Sequence, residues 1–186
     1  LLANKKAYLG LDIGTTRIKI IATDSDGNLI CNATEKIKIY HPHPGWSEQD
    51  PIDWWKATKK VLLKAKKNLD SKNYQIVSIG FSGQMHSLVM LDKNNNPIHN
   101  AILWNDVRTK NECTEIRKII GKKICDITGN PVLEGFTAPK IMWMKKNFPD
   151  KYKTIKKIML PKDYIRFRLT GKMMTDPSDA TGTLLY

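Results

Sequence analysis

Apolar residues lead from residue 8 into Asp12. Small polar residues follow at Gly14, Thr15 and Thr16, and an alternating run then ends at Ile20 and Ile21. A two-residue period is that of a half-buried strand. The pattern predicts strands over 8–12 and 18–23 and, past a turn carried by Asp24, Asp26, Gly27 and Asn28, a third over 29–39. His41-Pro42-His43-Pro44-Gly45 cannot continue a strand and predicts a stiff loop that delivers Trp46. The period then changes. Ile52, Trp55, Leu62, Ala65 and Leu69 recur at helical spacing, with Asp50 as N-cap, Pro51 in the first turn and Asp53 three residues past the cap. Further strands are predicted over 76–81 and 89–91, the latter closed by the turn Asp92 to Asn96, and a helix over 108–120 that stops before Gly121. Beyond the turn Thr128 to Pro131, a helix is predicted over 137–147 with Ile141 and Met144 inward. A short apolar segment over 155–160 and a helix over 161–169 closed by Gly171 complete the pattern. Strands and helices interleave, which predicts an α/β protein.

Composition narrows the class. With 186 residues and 41% hydrophobic content, the chain can bury one substantial core with room for a satellite lobe. Its net charge of +13, from 31 basic and 18 acidic residues, raises the question of nucleic acid or an anionic surface. The basic residues are mostly lysines spread along helical segments, from Lys56 to Lys67 and from Lys151 to Lys157, as on a solvated face. There is no interleaving of aromatic and basic residues and no groove-reading helix, so neither a nucleic-acid nor a membrane partner is expected. Cys31, Cys113 and Cys125 have no CxxC spacing and are too few for a disulfide framework. Without a signal peptide or long apolar run, this composition predicts a cytoplasmic protein. No histidine or cysteine partner follows His41 and His43 at zinc-site spacing. The apolar run Gly182 to Tyr186 is expected to lie inside a longer protein.

Three places carry candidate chemistry. At the first turn, Gly14 lets the backbone approach a ligand, and the hydroxyls of Thr15 and Thr16 with the turn amides suit phosphate oxygens. Asp12, acceptor-only when ionised, calls for a donor or a cation, and Mg²⁺ held through water is the usual answer at a phosphate site. A plain hairpin turn would show the same residues. Ser82-Gly83-Gln84-Met85-His86-Ser87 follows a strand, where ligands sit in α/β proteins. Gln84 and His86 offer directional hydrogen bonds and Met85 an apolar surface. In Trp104-Asn105-Asp106, with Arg108 close by, a Trp face can stack on a sugar while the polar groups reach hydroxyls. Asp106 can equally cap the helix that follows, or do both. A structural role suffices for Asp163 at a helix start, and an Asp in the polar turn of Asp176, Ser178 and Asp179 could hold a domain junction. There is no GxxxxGK[ST] loop, no GxGxxG and no acyl-transfer triad.

Taken together, DIGTTRIK (12–19), GWSEQDPIDWW (45–55), SGQMHS (82–87), AILWNDVR (101–108), TGNPVLEGFTAPKIMW (128–143), LPKDYIRFRLTGK (160–172) and TDPSDATGTLL (175–185) resemble the FGGY family of carbohydrate kinases, in order and over nearly the whole chain. The resemblance implies a ribonuclease-H-like, actin-type core with a mixed five-stranded sheet and sugar-binding insertions. Residues 1–186 would then form most of an N-terminal domain, and the nucleotide-binding domain would lie outside them. It implies ATP and Mg²⁺ as cofactors, with Asp12 positioning metal and phosphate. Gly14, Thr15, Thr16 and Lys19 would face the ATP phosphates. Gln84, Met85, His86, Trp104, Asn105 and Asp106 would line the sugar pocket. SGQMHS favours a ketose, D-xylulose first, over glycerol, for which the family carries an Arg-Glu pair in this loop; ribulose and fuculose remain as alternatives. The family's base is an aspartate in a Gly-Gly-Asp context, a string this sequence lacks, so these residues alone are expected to be inactive. The family also implies a homodimer. Arg17 replaces the small residue usual at its position.

Overall fold

The computed structural model describes residues 5–186. In chain order the elements are β1 (Lys5–Ile13), β2 (Arg17–Thr23), β3 (Leu29–Lys36), β4 (Glu48–Gln49), α1 (Pro51–Ser71), β5 (Tyr74–Gly83), β6 (Val89–Leu91) and β7 (Ala101–Ile102). Then come α2 (Lys110–Ile120), α3 (Lys123–Thr128), α4 (Thr137–Asn147), α5 (Pro149–Thr154), β8 (Lys157–Met159), α6 (Pro161–Thr170) and α7 (Pro177–Ala180). The chain divides into two compact units. One comprises the residues up to Lys38 with Ile52–Gln84; the other comprises Ile39–Pro51 with Met85–Tyr186.

The first unit is built on a mixed sheet of order β3-β2-β1-β5, with β1 antiparallel to β2 and parallel to β5. Alternation decides which face is buried. Ala7, Leu9, Leu11 and Ile13 of β1 point the same way as Ile18, Ile20 and Ala22 of β2, because the register sets Leu9 opposite Ala22, Leu11 opposite Ile20 and Ile13 opposite Ile18. Each such Leu or Ile stabilises the fold by roughly 1.5–3 kcal/mol. A one-residue slip would turn the whole set to the other face. The sheet is mixed as expected, with four strands among the described residues where five were expected. The strand after β5, β6, pairs instead with β8 in a separate two-stranded sheet.

Helix α1 forms where its spacing and its Asp50-Pro51 entry predict, but its buried stripe is Trp54, Ala57, Thr58, Val61, Ala65 and Leu69. Trp54 is inward and Trp55 only half-buried. Adjacent tryptophans leave the phase of a helical stripe open by about 100°, and here Ala57 and Val61 settle it. Lys60 and Lys64 pair with Glu35 of β3, which ties helix and sheet together.

The second unit has two apolar clusters. Cys113, Ile116, Ile124, Val132, Phe136 and Leu184 form one; Leu88, Met90, Ile102, Trp143 and Met144 form the other. Helices α3 and α5 are short elements that the sequence pattern did not predict. Helix α2 starts at Lys110 rather than 108, with Thr109 at its cap, and β3 stops at Lys36 rather than 39. Helix α6 ends as expected at Gly171, whose φ of 71° is left-handed. No helix among the described residues is long and apolar enough to cross a membrane.

Candidate functional site

In the first unit the register places Asp12 between Lys19 of β2 and Ser82 of β5, so the three lie in a row across neighbouring strands. Ser82 Oγ donates to Asp12 Oδ1 at 2.8 Å. The row borders an open groove of about 480 Å³ whose lining includes Gly10 and Gly80. At the turn that follows, a Cβ on Gly14 would sit 2.9 Å from the Arg17 carbonyl oxygen and 3.3 Å from Asp12 Oδ2. Backbone cannot yield as a flexible side chain can, so the turn requires glycine. Thr15 is half-buried and Thr16 exposed on this turn, Lys19 is exposed, and Arg17 projects from an exposed position at the start of β2. No group of three or more His, Cys, Asp or Glu side chains among the described residues is arranged to hold a metal. A lone carboxylate with a hydroxyl beside it suits Mg²⁺ that keeps most of its waters and is bound mainly through substrate phosphates.

Gln84 ends this unit. It is buried, and its backbone N–H donates to the Ile13 carbonyl at 2.8 Å. The pairing of β5 with β1 therefore persists to Gln84, and the candidate ligand loop begins only after it.

The second unit holds the rest of the predicted sugar strip. Met85 is 45% exposed and Trp104 40% exposed. His86 has a φ of 59°, a left-handed conformation that costs a non-glycine residue about 1–2 kcal/mol. Three sets of contacts hold it there. Its carbonyl oxygen accepts hydrogen bonds from Thr137 Oγ1 and from Lys140 Nζ, both at 3.0 Å. Its ring packs on Phe136, with centroids 4.5 Å apart. Its Nδ1 lies 2.7 Å from the Gly182 carbonyl oxygen. A carbonyl only accepts, so Nδ1 carries the proton and Nε2 is the acceptor nitrogen of the neutral ring. Burial pushes the imidazole pKa below its ordinary value, against the opposing pull of the Gly182 carbonyl, so the ring is neutral at pH 7. A Cβ on Gly182 would collide with this ring.

Trp104 joins the same cluster. Its backbone N–H donates to Ser87 Oγ at 3.1 Å, and a Cβ on Gly135 would lie 2.5 Å from its carbonyl oxygen. Asn105 is exposed and borders a different hollow, beside the loop His41 to Ser47.

Asp106 is 0% exposed and its carboxylate is fully engaged. Oδ1 accepts from the Arg108 N–H and Nε, both at 2.9 Å; Oδ2 accepts from Ser47 N–H at 2.6 Å and Arg108 Nη2 at 2.7 Å. Arg108 Nη1 also lies 2.8 Å from Glu48 Oε1, an ionic contact without hydrogen-bond alignment. The guanidinium stacks on Trp46 at 3.7 Å and faces Trp143 at 4.8 Å. This is a buried structural node, and of the readings left open for Asp106 the helix cap is not made, since Thr109 stands at the cap of α2. Asp163 likewise has a structural setting, since it pairs with Lys162 and Arg166. Lys162 also meets Asp176 and Asp179. Burial would lower its pKa, but the three carboxylates together raise it well above the usual lysine range.

Sequence reasoning missed Lys140. It is 0% exposed, and its Nζ donates to Gly135 O at 2.6 Å as well as to His86 O. One signal was available: Lys140 lies three and four residues before Trp143 and Met144, in phase with the buried face of α4.

The model of the N-terminal domain of the FGGY family of carbohydrate kinases matches residues 7–186. The chain belongs to that family. It is 49% identical over 177 residues to the xylulose kinase of Lactococcus lactis, a stretch covering 95% of this chain and 35% of that protein. A xyloylose kinase from Brucella ovis, known as a crystal structure, superposes with a TM-score of 0.91 at 40% identity, over 96% of this chain and 36% of that one. The gluconate kinase of Lactobacillus acidophilus reaches the same TM-score, 0.91, at 28% identity, over 97% of this chain and 36% of its own. The chain therefore spans about a third of the length of these relatives, and the fold matches kinases named for different substrates.

Proposed function

We propose that the full-length protein is a cytoplasmic kinase that converts D-xylulose to D-xylulose 5-phosphate with Mg·ATP. The observation that carries the sugar assignment is His86: a neutral ring, fixed through Nδ1, with Nε2 as an acceptor for a sugar hydroxyl and with Met85 and Trp104 exposed in the same unit. The 49% identity to a xylulose kinase supports the choice of ketose.

In this reading Met85, His86 and Trp104 bind and orient the ketose. Asp106 acts beneath them by holding the Trp104–Arg108 segment in place. The amides and hydroxyls of Gly14, Thr15 and Thr16 receive phosphate oxygens, and Lys19 adds positive charge. Asp12 would hold the magnesium ion through water, and that ion would neutralise charge on the transferred phosphoryl group. The base that takes the proton from the attacking hydroxyl lies outside these residues, so Asp12 is assigned positioning and not proton transfer.

A second reading, a kinase for another ketose or polyol, is favoured by one observation: the gluconate kinase superposes as well as the xyloylose kinase does. The test is ADP release by the full-length protein with D-xylulose beside D-ribulose, L-ribulose, L-fuculose and glycerol. Preference for D-xylulose is expected. Preference for another sugar would replace the substrate and keep the chemistry, and turnover with none would overturn the kinase. Residues 1–186 alone are expected to release no sugar-dependent ADP.

A further inference from the structure

The geometry points to Lys140 as a positioning residue for the ketose site: it locks the His86 and Trp104 segments into one rigid unit and so sets sugar affinity without touching the sugar. This inference rests on the proposed ketose-kinase reading.

The Lys140 ammonium is wholly buried, and its hydrogen bonds run to two carbonyl oxygens, those of His86 and Gly135. A buried cation is costly unless something is gained by it. Here each of its two bonds reaches a residue that controls part of the predicted sugar surface. The His86 carbonyl belongs to a residue with φ of 59°, so a bond to it helps hold that left-handed backbone. Thr137 Oγ1 donates to the same oxygen, so the carbonyl is gripped twice from α4. The Gly135 carbonyl belongs to the residue whose missing side chain lets the chain lie against the Trp104 carbonyl. Residues 86 and 104, far apart in sequence, are thus tied to one amine 54 and 36 positions away. A methionine would fill the volume but donate nothing. The His86 peptide would then lose one of its two anchors, and the imidazole would sample orientations in which Nε2 no longer faces the ligand side.

Burial also pulls the Lys140 pKa down to about 7, against the stabilising charge of Asp106 and with the opposing charge of Arg108. The amine can donate to both carbonyls in either protonation state, since it keeps two hydrogens when neutral.

The test compares Lys140→Met and Thr137→Val with the parent in the full-length protein, measuring kcat and KM for D-xylulose and for ATP separately. A rise of about tenfold or more in ketose KM for Lys140→Met, and a smaller rise for Thr137→Val, with ATP KM within about twofold of the parent, is the expected result. A purely structural lysine would lower the amount of folded enzyme and hence apparent kcat, and leave both KM values alone; that outcome overturns the inference. If Lys140→Met does not fold, Thr137→Val decides alone, and an unchanged ketose KM in it overturns the inference. If the parent saturates normally with D-xylulose and the variants behave like it, only Lys140 loses its role. If the parent shows no ketose-dependent ADP release, the functional reading falls and this inference with it.

Discussion

The sheet around Asp12 and the loop cluster around His86 are built by opposite means. In the first unit the candidate residues follow from strand alternation: Asp12, Lys19 and Ser82 share a row because register makes them share it. Few polar groups are buried there, Thr58 and Gln84 among them. In the second unit the site rests on buried polar groups, among them Glu48, Asp106, Thr109, Thr137, Lys140 and Asp163. Its hydrogen bonds join residues 51, 54, 59 and 96 positions apart. An apolar sheet tolerates a changed polar residue at its rim, because water can replace the lost partner. A buried polar network does not, because a removed partner leaves the other desolvated and unpaired.

The contrast is open to direct test. Replacing Arg108 by Met leaves Glu48 and Asp106 buried without their cation, and is expected to destabilise the protein by about 3–5 kcal/mol in denaturant unfolding. A loss below about 1 kcal/mol would remove the claim that this node supports the site. At the other unit, Asp12→Asn is expected to lower kcat on the order of 10²-fold or more, while the unfolding midpoint stays near that of the parent. A large drop in stability would mean that Asp12 is structural, and the contrast would fail.

A third test uses pH. The Lys140 pKa is about 7 in the fold against 10.5 for an ordinary lysine. Between these values the unfolded chain binds the proton and the folded one does not. The stability contribution is therefore fully present above pH 10.5 and is lost as pH falls toward 7, with a slope of at most ~1.4 kcal/mol per unit. Charges facing the amine are those of Asp106 and Arg108, with the titratable ring of His86 on the segment it grips. Lys140→Met should flatten this part of the stability–pH curve; an unchanged curve would show that the amine is not the titrating group. The smallest effect is expected from Gly182→Ala, which forces the His86 ring aside. It should cost roughly 1–3 kcal/mol of stability and raise the ketose KM. A parent-like KM would show that the ring orientation set by Gly182 is dispensable.

Much of the first unit was legible in the chain. The alternation at 8–12 and 18–23 yielded β1 and β2 with the right residues buried, since a period of two is a local property. The turn after β1 was marked by Gly14 in the sequence, and the structure supplies the reason, since the neighbouring backbone leaves no room there for a side chain. The phase of α1 was not, because Trp54 and Trp55 compete for one face and only packing chooses. In the second unit the strings at 82–87 and 101–108 marked segments but not the job of each residue. Asp106 looked equally like a helix cap and a ligand; Arg108, folding back between Trp46 and Trp143, claimed its carboxylate instead. Helix α2 accordingly starts two residues later than its pattern suggested.

The α/β character, the first strands and the turn between them, the glycine at that turn and the candidate segments all came from the order of residues alone, because they follow from short-range periodicity and backbone sterics. Three-dimensional packing was needed to settle which nitrogen of His86 holds the proton, why its backbone can stay left-handed, and that a lysine on an apolar helix face is the group that holds it. Those facts depend on which carbonyl oxygens meet which donors across half the chain, and hydrogen bonds between distant residues leave no periodic trace in the sequence.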